Sequence, residues 1–476
     1  MEQSIQGQDQ AAGPEDFVEE KVPYRRRIFC SRNLRLDSVK FIGFDMDYTL
    51  ALYHEQMEHL QAEMVLETLV TKQGYPRELL ALKYDPGFAI RGLTVDTAHG
   101  NVFKMDAHRF VGKVWHGNAP LDKEDRRNLY SNRRVGPADP DLVMVDTLFS
   151  LPEISLYCQM VDAFNGPLGD IASKPDYSKL WEHLREGMDS LHRDGSLKNR
   201  IMGDIARYIV RDPELAEALH RFRSAGKRLF LMTNSEPVYT MKVMSFLLDG
   251  AYPGYASWTD YFDYIFTFAC KPKFFEWDEP FFAVDPKTGE VGSKPVDQLV
   301  RNGMYQGGNL TQFKESTGMV GDEVLYIGDH IYGDILRSKR YAGWRTAMII
   351  QELERELSHV KHHADRISEL HRLEESRFKL NLHRAAKALD GRRDEELLGK
   401  IRSLNKQIAT LEKHTSEAFN PYWGMLFRDR SELSAFGQQV ESYACVYTSR
   451  VSNFRLYSPM WYFRSPRDRM PHELRM

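Results

Sequence analysis

The sequence predicts an α/β fold built on a buried parallel sheet. Two observations carry that prediction. Short apolar runs, rich in β-branched and aromatic residues and too short for helices, recur at 39–44, 228–232, 264–268, 324–327 and 345–350. Four of them end in residues that carry chemistry: Asp45 and Asp47; Thr233, Asn234 and Ser235; Lys271; Asp329 and Asp334. Ligands of open α/β sheets gather at the carboxyl ends of strands.

Length and composition frame the reading. At 476 residues the chain exceeds one average domain, so two or three units are expected. Hydrophobic residues make up 42% and charged residues 28%, an ordinary globular balance. The net charge of −4, from 64 basic and 68 acidic residues, argues against a general nucleic-acid binder, and no nucleic-acid partner is expected. No apolar run reaches about 18 residues, so no membrane span is expected. Residues 1–24 are polar and acidic with Gly and Pro, and read as a disordered tail. Cys30, Cys158, Cys270 and Cys445 are scattered without a CxxC pair, so neither zinc site nor disulfide framework is indicated and a cytoplasmic location is the simplest.

The elements follow in order. Arg25-Arg26-Arg27 is a basic run of the kind that usually forms a solvated edge. After the first strand, 55–71 has apolar positions at helical spacing and is stopped by Gly74-Tyr75-Pro76. Residues 91–96 and 102–105 read as strands, with Gly100-Asn101 between them suited to a hairpin turn. Residues 120–225 look helical in several pieces, among them Tyr177–Arg193 and a helix opened by Asp212-Pro213-Glu214. The strand candidates from 228 to 350 come next. From 351 to about 414 the chain is charge-dense, with Leu and Ile three and four apart: a long helix or helical hairpin, broken near Asp390-Gly391. Its apolar stripe packs on its own domain or on another copy, and the spacing alone does not choose. Residues 443–463 are aromatic-rich and are expected to pack on the body.

Each strand end has a physical reason to be chemical. Buried strands do not casually end in two acids, because an unpaired buried charge is expensive; a hard cation such as Mg²⁺ rewards them, and an acidic turn is the plain alternative. Positions 45 and 47 point to the same side of an extended backbone. Asp45 then serves as a nucleophile on phosphorus, and Asp47 as an acid and base held protonated by its carboxylate neighbour. A hydroxyl and backbone N–H groups at Thr233-Asn234-Ser235 form a nest for phosphoryl oxygens, although alone this is also an ordinary turn. Lys271 is a point charge before Pro272. In Gly328-Asp329-His330-Ile331-Tyr332-Gly333-Asp334, two more acids arrive at a strand end. With Asp45 they supply oxygen ligands for Mg²⁺.

In this order the four motifs resemble those of the haloacid dehalogenase superfamily of phosphohydrolases. The resemblance implies a Rossmann-like, doubly wound core. It makes Asp45, Asp47, Thr233 and Lys271 catalytic, and it assigns the metal to Asp45, Asp329 and the main-chain carbonyl of Asp47, with Asp334 behind them. Roughly 180 residues separate Asp47 from Thr233, far more than a strand-to-helix connection needs, so an inserted cap is expected. The implied layout is a core of 25–54 and 226–350, a cap of 55–225, and a helical extension of 351–476 packing on the core.

The runs Asp45-Met46-Asp47-Tyr48-Thr49-Leu50-Ala51, Gly74-Tyr75-Pro76, Arg91-Gly92-Leu93, Thr147-Leu148-Phe149, Leu151-Pro152-Glu153, Gly195-Ser196-Leu197-Lys198 and Tyr326-Ile327-Gly328-Asp329-His330-Ile331 are similar to those of the cytosolic purine 5′-nucleotidases, which prefer IMP and GMP. That resemblance, spanning about residue 25 to the C-terminus, implies a purine nucleoside monophosphate as substrate, nucleoside phosphotransfer beside hydrolysis, and a homo-oligomer. It implies that Phe149 stacks on the base, that Arg185, Asp189 and His192 bond base and ribose, that Lys198 reaches the phosphate from the cap, and that Asn234 and Ser235 line the phosphate site. The spacing of four and three puts Arg185, Asp189 and His192 on one helix face. Where the family has Asn after the stacking Phe, this chain has Ser150, which is shorter and has a different donor pattern.

Overall fold

Strand Phe41–Phe44 lies between Arg228–Met232 and Val324–Gly328, parallel to both. Its neighbours explain its sequence. Gly43 sits opposite Phe230 on one side and Tyr326 on the other, and a Cβ there would come within 2.1 Å of the Phe230 ring. Alternation does the rest. Ile42, Leu229 and Leu325 enter one buried cluster, and Phe41, Phe230 and Tyr326 enter another, so the sheet is covered on both faces.

The structure is a computed structural model and describes residues 22–131, 135–136, 139–169, 176–389, 394–470 and 472–473. Among these, the central sheet runs in the order Phe29–Cys30, Val446–Thr448, Arg345–Ile349, Val324–Gly328, Phe41–Phe44, Arg228–Met232, Tyr264–Thr267, Gly303–Gly307, Phe281–Val284, Val291–Pro295. From Val446–Thr448 to Gly303–Gly307 every pairing is parallel; the outer strands are antiparallel. This is a doubly wound, Rossmann-like α/β core with an antiparallel extension at each edge.

Between Tyr53 and Arg228 the chain builds the insert. Helices Glu55–Lys72, Leu151–Asn165 and Tyr177–Arg193 pack together, and a five-stranded antiparallel sheet stands beside them in the order Ala119–Pro120, Val111–His116, Asn101–Met105, Leu93–Asp96, Leu142–Val145. The core and the insert meet at a ribbon, Leu52–Tyr53 paired with Ile209–Val210. Buried Arg91 is a second tie: it donates to the Asp329 carbonyl at 3.0 Å and grips Glu352 of helix Glu352–His362 with two bonds at 2.8 and 2.6 Å.

Several expectations are corrected. The hairpin turn is Thr97 to Gly100, and Asn101 is the first residue of the returning strand, opposite Asp96. The expected helical stretch 120–225 contains strand Leu142–Val145, because Leu93–Asp96 offers it an open edge. The helix after Pro213 starts at Leu215, since Asp212 caps the preceding turn by accepting from the Glu214 N–H. The chain joins the body by Val22, which is buried, not after residue 24. Residues 351–476 are not only a helical extension: Val446–Thr448 returns to the central sheet beside Arg345–Ile349.

Helices Ala364–Leu389 and Glu395–Phe419 form the hairpin; the break expected near 390 and 391, like residues 1–21 of the expected tail, lies outside the described residues. Leu397, Ile401, Ile408 and Phe419 are buried within the chain, while Phe378 and Leu382 are exposed. Phe454, Tyr457 and Phe463 pack on the body. No helix among the described residues is long and apolar enough to cross a membrane.

Candidate active site

All four chemical strand ends meet at the carboxyl edge of the central sheet. Asp45 follows Phe44, its N–H bonded to the Ile327 carbonyl at 2.9 Å. Lys271 lies at the middle. Its Nζ is 2.8 Å from Asp45 Oδ1 and 2.6 Å from Asp334 Oδ1, and it donates to the Tyr326 hydroxyl at 2.9 Å. Tyr326 in turn donates to the Met232 carbonyl at 3.0 Å, which ties the lysine cradle to Arg228–Met232, on the far side of Phe41–Phe44.

The loop carrying Lys271 is held from below. Asn234 accepts from the Lys271 N–H at 2.6 Å and donates to the Lys271 carbonyl at 2.9 Å. Thr233 is fully buried, and its hydroxyl oxygen accepts from the Ser235 N–H at 3.0 Å. Asp334 approaches because Gly328 has no side chain; a Cβ there would lie 2.6 Å from Asp334 Cβ. The other Asp334 oxygen accepts from the His330 N–H at 3.2 Å.

The electrostatics follow from crowding acids in a buried place. Burial, then Asp334 and Asp47, push the Asp45 carboxyl up to about 7, with Lys271 opposing. Burial, then Asp334 and Asp45, drive Asp329 well above the usual carboxylate range. Burial alone would lower Lys271, but the carboxylates of Asp334 and Asp45 outweigh it and hold the ammonium well above its ordinary value. Asp45, Asp329 and Asp334 each present an oxygen, all within 4.8 Å of one another, and Asp329 Oδ2 is buried without a hydrogen-bond partner. One buried ammonium does not balance three buried carboxylates, and an all-oxygen donor set fits a hard divalent cation.

Asp47 turns away from that group. Its two oxygens accept from the hydroxyls of Tyr53 at 2.5 Å and Ser235 at 2.8 Å. The hydrogen-bond partners of its carboxyl are thus the hydroxyls of Tyr53 and Ser235 and not the neighbouring Asp45. Its carboxylate is also outside the cation-sized group, which leaves only its main-chain carbonyl for the metal role that the resemblance implied.

A cavity of about 670 Å³ opens from these residues to the insert and is lined by Phe149, Ser150, Arg185, Asp189, His192 and Lys198. Half-buried Phe149 stands edge-on to Tyr48 at 4.6 Å and to His192 at 5.5 Å between ring centres. Burial and the nearby Lys198 lower the His192 pKa. Lys198 is paired with Glu236 at the start of helix Pro237–Leu248 and lies 5.3 Å from the Tyr239 ring centre. Arg185 lines the cavity and already has protein partners. It grips buried Glu153 at 2.8 and 3.1 Å, donates to Ser150 Oγ at 3.1 Å and lies 3.8 Å from exposed Asp189. Burial raises Glu153 to about 7, with Arg185 opposing.

Sequence reasoning missed Tyr53, Tyr239, Glu153 and Glu236, each of which touches a residue it did name. None carries a local signal: a Tyr in an apolar run reads as core. Arg91, inside a run used for the resemblance, was given no role, and only its burial reveals one.

A buried carboxylate, a lysine beside it and an all-oxygen group that fits a hard cation, at the ends of a parallel sheet, suit phosphoryl transfer, and the enzyme is a phosphoric monoester hydrolase. A model of the 5′ nucleotidase family matches residues 28–475, and the chain belongs to that family. A 5′-nucleotidase domain-containing protein of Dictyostelium discoideum is 32% identical over 458 residues, 94% of this chain and 75% of that protein. Among solved structures, an archaeal β-phosphoglucomutase of Pyrococcus sp. strain ST 04 is similar at 12% identity and a TM-score of 0.30, covering 66% of this chain and 87% of that one. A haloacid dehalogenase-like hydrolase of Streptococcus pneumoniae is similar at 12% and 0.25, covering 66% and 85%. At such scores the likeness is loose, and the assignment rests on the family match.

Proposed function

We propose that the enzyme is a Mg²⁺-dependent 5′-nucleotidase that hydrolyses purine nucleoside 5′-monophosphates. The observation that supports this best is one cavity lined both by Asp45, Lys271 and Asp329 of the core and by Phe149, Arg185, Asp189, His192 and Lys198 of the insert. The core residues, with Lys198, suit a phosphate and a cation; Phe149, Arg185, Asp189 and His192 suit a flat ring and a ribose.

Asp45 attacks phosphorus as the bond to the ribose 5′ oxygen breaks. The bonding pair stays on that oxygen, which takes a proton from Asp47. Water then attacks the aspartyl-phosphate and gives its proton to Asp47, and the Asp45–phosphorus bond breaks to release phosphate. A nucleoside in place of water gives phosphotransfer by the same step. Lys271 favours the Asp45 anion against burial and faces the phosphoryl oxygens; Thr233, Asn234 and Ser235 shape the loop beneath them. Asp45 and Asp329, with the Asp47 carbonyl, would hold Mg²⁺, which would supply positive charge against the phosphoryl oxygens.

A substrate panel tests the reading. IMP and GMP should exceed CMP and simple sugar phosphates by at least about tenfold in kcat/KM, because only a purine covers Phe149 well. Equal rates across the panel would remove Phe149 as a purine platform. Chelation should abolish turnover, and added Mg²⁺ should restore it. Ser150 and Arg185 are bonded to each other and to Glu153, so discrimination among purines is expected to be weaker than discrimination against pyrimidines.

A further inference from the structure

We infer that Tyr53 is a positioning residue for the acid and base Asp47, and that Tyr239 orients it in turn; this rests on the hydrolase mechanism proposed above. Three observations converge. The Tyr53 hydroxyl is 2.5 Å from Asp47 Oδ1 and 2.9 Å from the Tyr239 hydroxyl, with both tyrosines buried. Tyr53 has one proton and spends it on Asp47, so Tyr239 donates to Tyr53: a two-step relay ending on the carboxyl. Ser235 holds the other oxygen, so the carboxyl plane is fixed from both sides. A carboxyl has more acceptor positions than these two hydroxyls fill, which leaves Asp47 able to face the leaving oxygen.

The placement of Tyr53 adds a second consequence. It stands on the ribbon where the chain passes from core to insert, paired with Ile209. Its ring lies 4.9 Å from Tyr48 and 6.1 Å from Phe149 between centres. The wall that meets the base and the group that protonates the leaving oxygen are thus joined through one side chain. Misplacing an acid by a fraction of an ångström is enough to lower its contribution, which for general acids is about 10²–10⁴-fold.

Leaving-group dependence isolates this role. A ribose alkoxide cannot leave without a proton, whereas p-nitrophenolate can. Rapid-mix first-turnover release is measured for wild type and Tyr53→Phe with IMP and with p-nitrophenyl phosphate. Nucleoside release should fall at least about tenfold with KM changed less than about threefold, while p-nitrophenolate release stays within about threefold. Equal losses on both substrates, or none on either, overturn the inference. Tyr239→Phe should give the same split more weakly. If Tyr53→Phe does not fold, Tyr239→Phe decides alone, and an absent split overturns the inference. Wild-type turnover of IMP separates the two readings. If it is nil, the nucleotidase reading fails, and glycerol 3-phosphate replaces IMP as the alkyl substrate for the same comparison.

Discussion

In the proposed mechanism Asp45 is both nucleophile and cation ligand, and burial works against both by favouring its neutral form. Lys271 at 2.8 Å is the nearest opposing charge. Replacing Asp45 with Asn should therefore lower kcat by more than about 10³-fold with little change in melting temperature. Lys271 keeps its pair with Asp334 in that variant, so no buried charge is orphaned. Substantial residual turnover in Asp45→Asn would sink the aspartyl-phosphate. Glu58 offers a test away from the chemistry. Burial lifts its carboxyl from 4.5 to about 7, although Tyr84 donates to it at 2.5 Å. Its folded pKa lies above its unfolded one, so the folded state binds more protons between those values, and this residue's contribution to stability falls as pH rises from 4.5 to about 7. Glu58→Gln keeps an acceptor for Tyr84 and should add up to about 2 kcal/mol at pH 8 but almost nothing at pH 4.5, read from denaturant midpoints at the two pH values.

At the scale of elements, strand Phe41–Phe44 carries the site because its neighbours allow no freedom. Gly43→Ala would drive a methyl into the rings of Phe230 and Tyr326, at 2.1 and 2.7 Å. It should lower unfolding free energy by about 2 kcal/mol or more and displace Asp45, so kcat should fall together with stability. An unchanged denaturation midpoint would mean that the rings can give way. The five inner strands read from sequence were legible because both faces are covered, which demands continuous apolar runs. Strand Val291–Pro295 was not legible: all its residues are exposed, and only its neighbour Phe281–Val284 makes it a strand. Leu142–Val145 was hidden likewise, its residues mostly half-buried and its pairing supplied by Leu93–Asp96.

Over the whole molecule, Arg91 joins three parts of the chain. It comes from the insert, bonds the carbonyl of Asp329 in the core and pairs with Glu352 of the C-terminal region. Its 5.1 Å approach to the Phe436 ring adds a fourth contact. Arg91→Met removes one partner of a buried pair and should cost about 3 kcal/mol, measured by chemical denaturation. Because the Asp329 carbonyl also loses a donor, the Mg²⁺ concentration for half-maximal activity should rise; a shift in stability alone would confine Arg91 to holding the parts together.

The residues of one sequence determined the parallel sheet, the order of its chemical strand ends, the large insert and the identities of Asp45, Lys271, Asp329 and Asp334. These were legible because each rests on a local rule: burial forbids idle charge, and strand ends face ligands. Tertiary structure decided which partner each charge takes. It turned Asp47 to two hydroxyls, occupied Arg185 with Glu153, returned residues 446–448 to the central sheet and brought Tyr53 to the acid. Apart from Asp47 and Tyr53, which lie six residues apart, these pairings join residues tens to hundreds of positions apart, and no local pattern encodes them, because each depends on the geometry that the rest of the chain imposes.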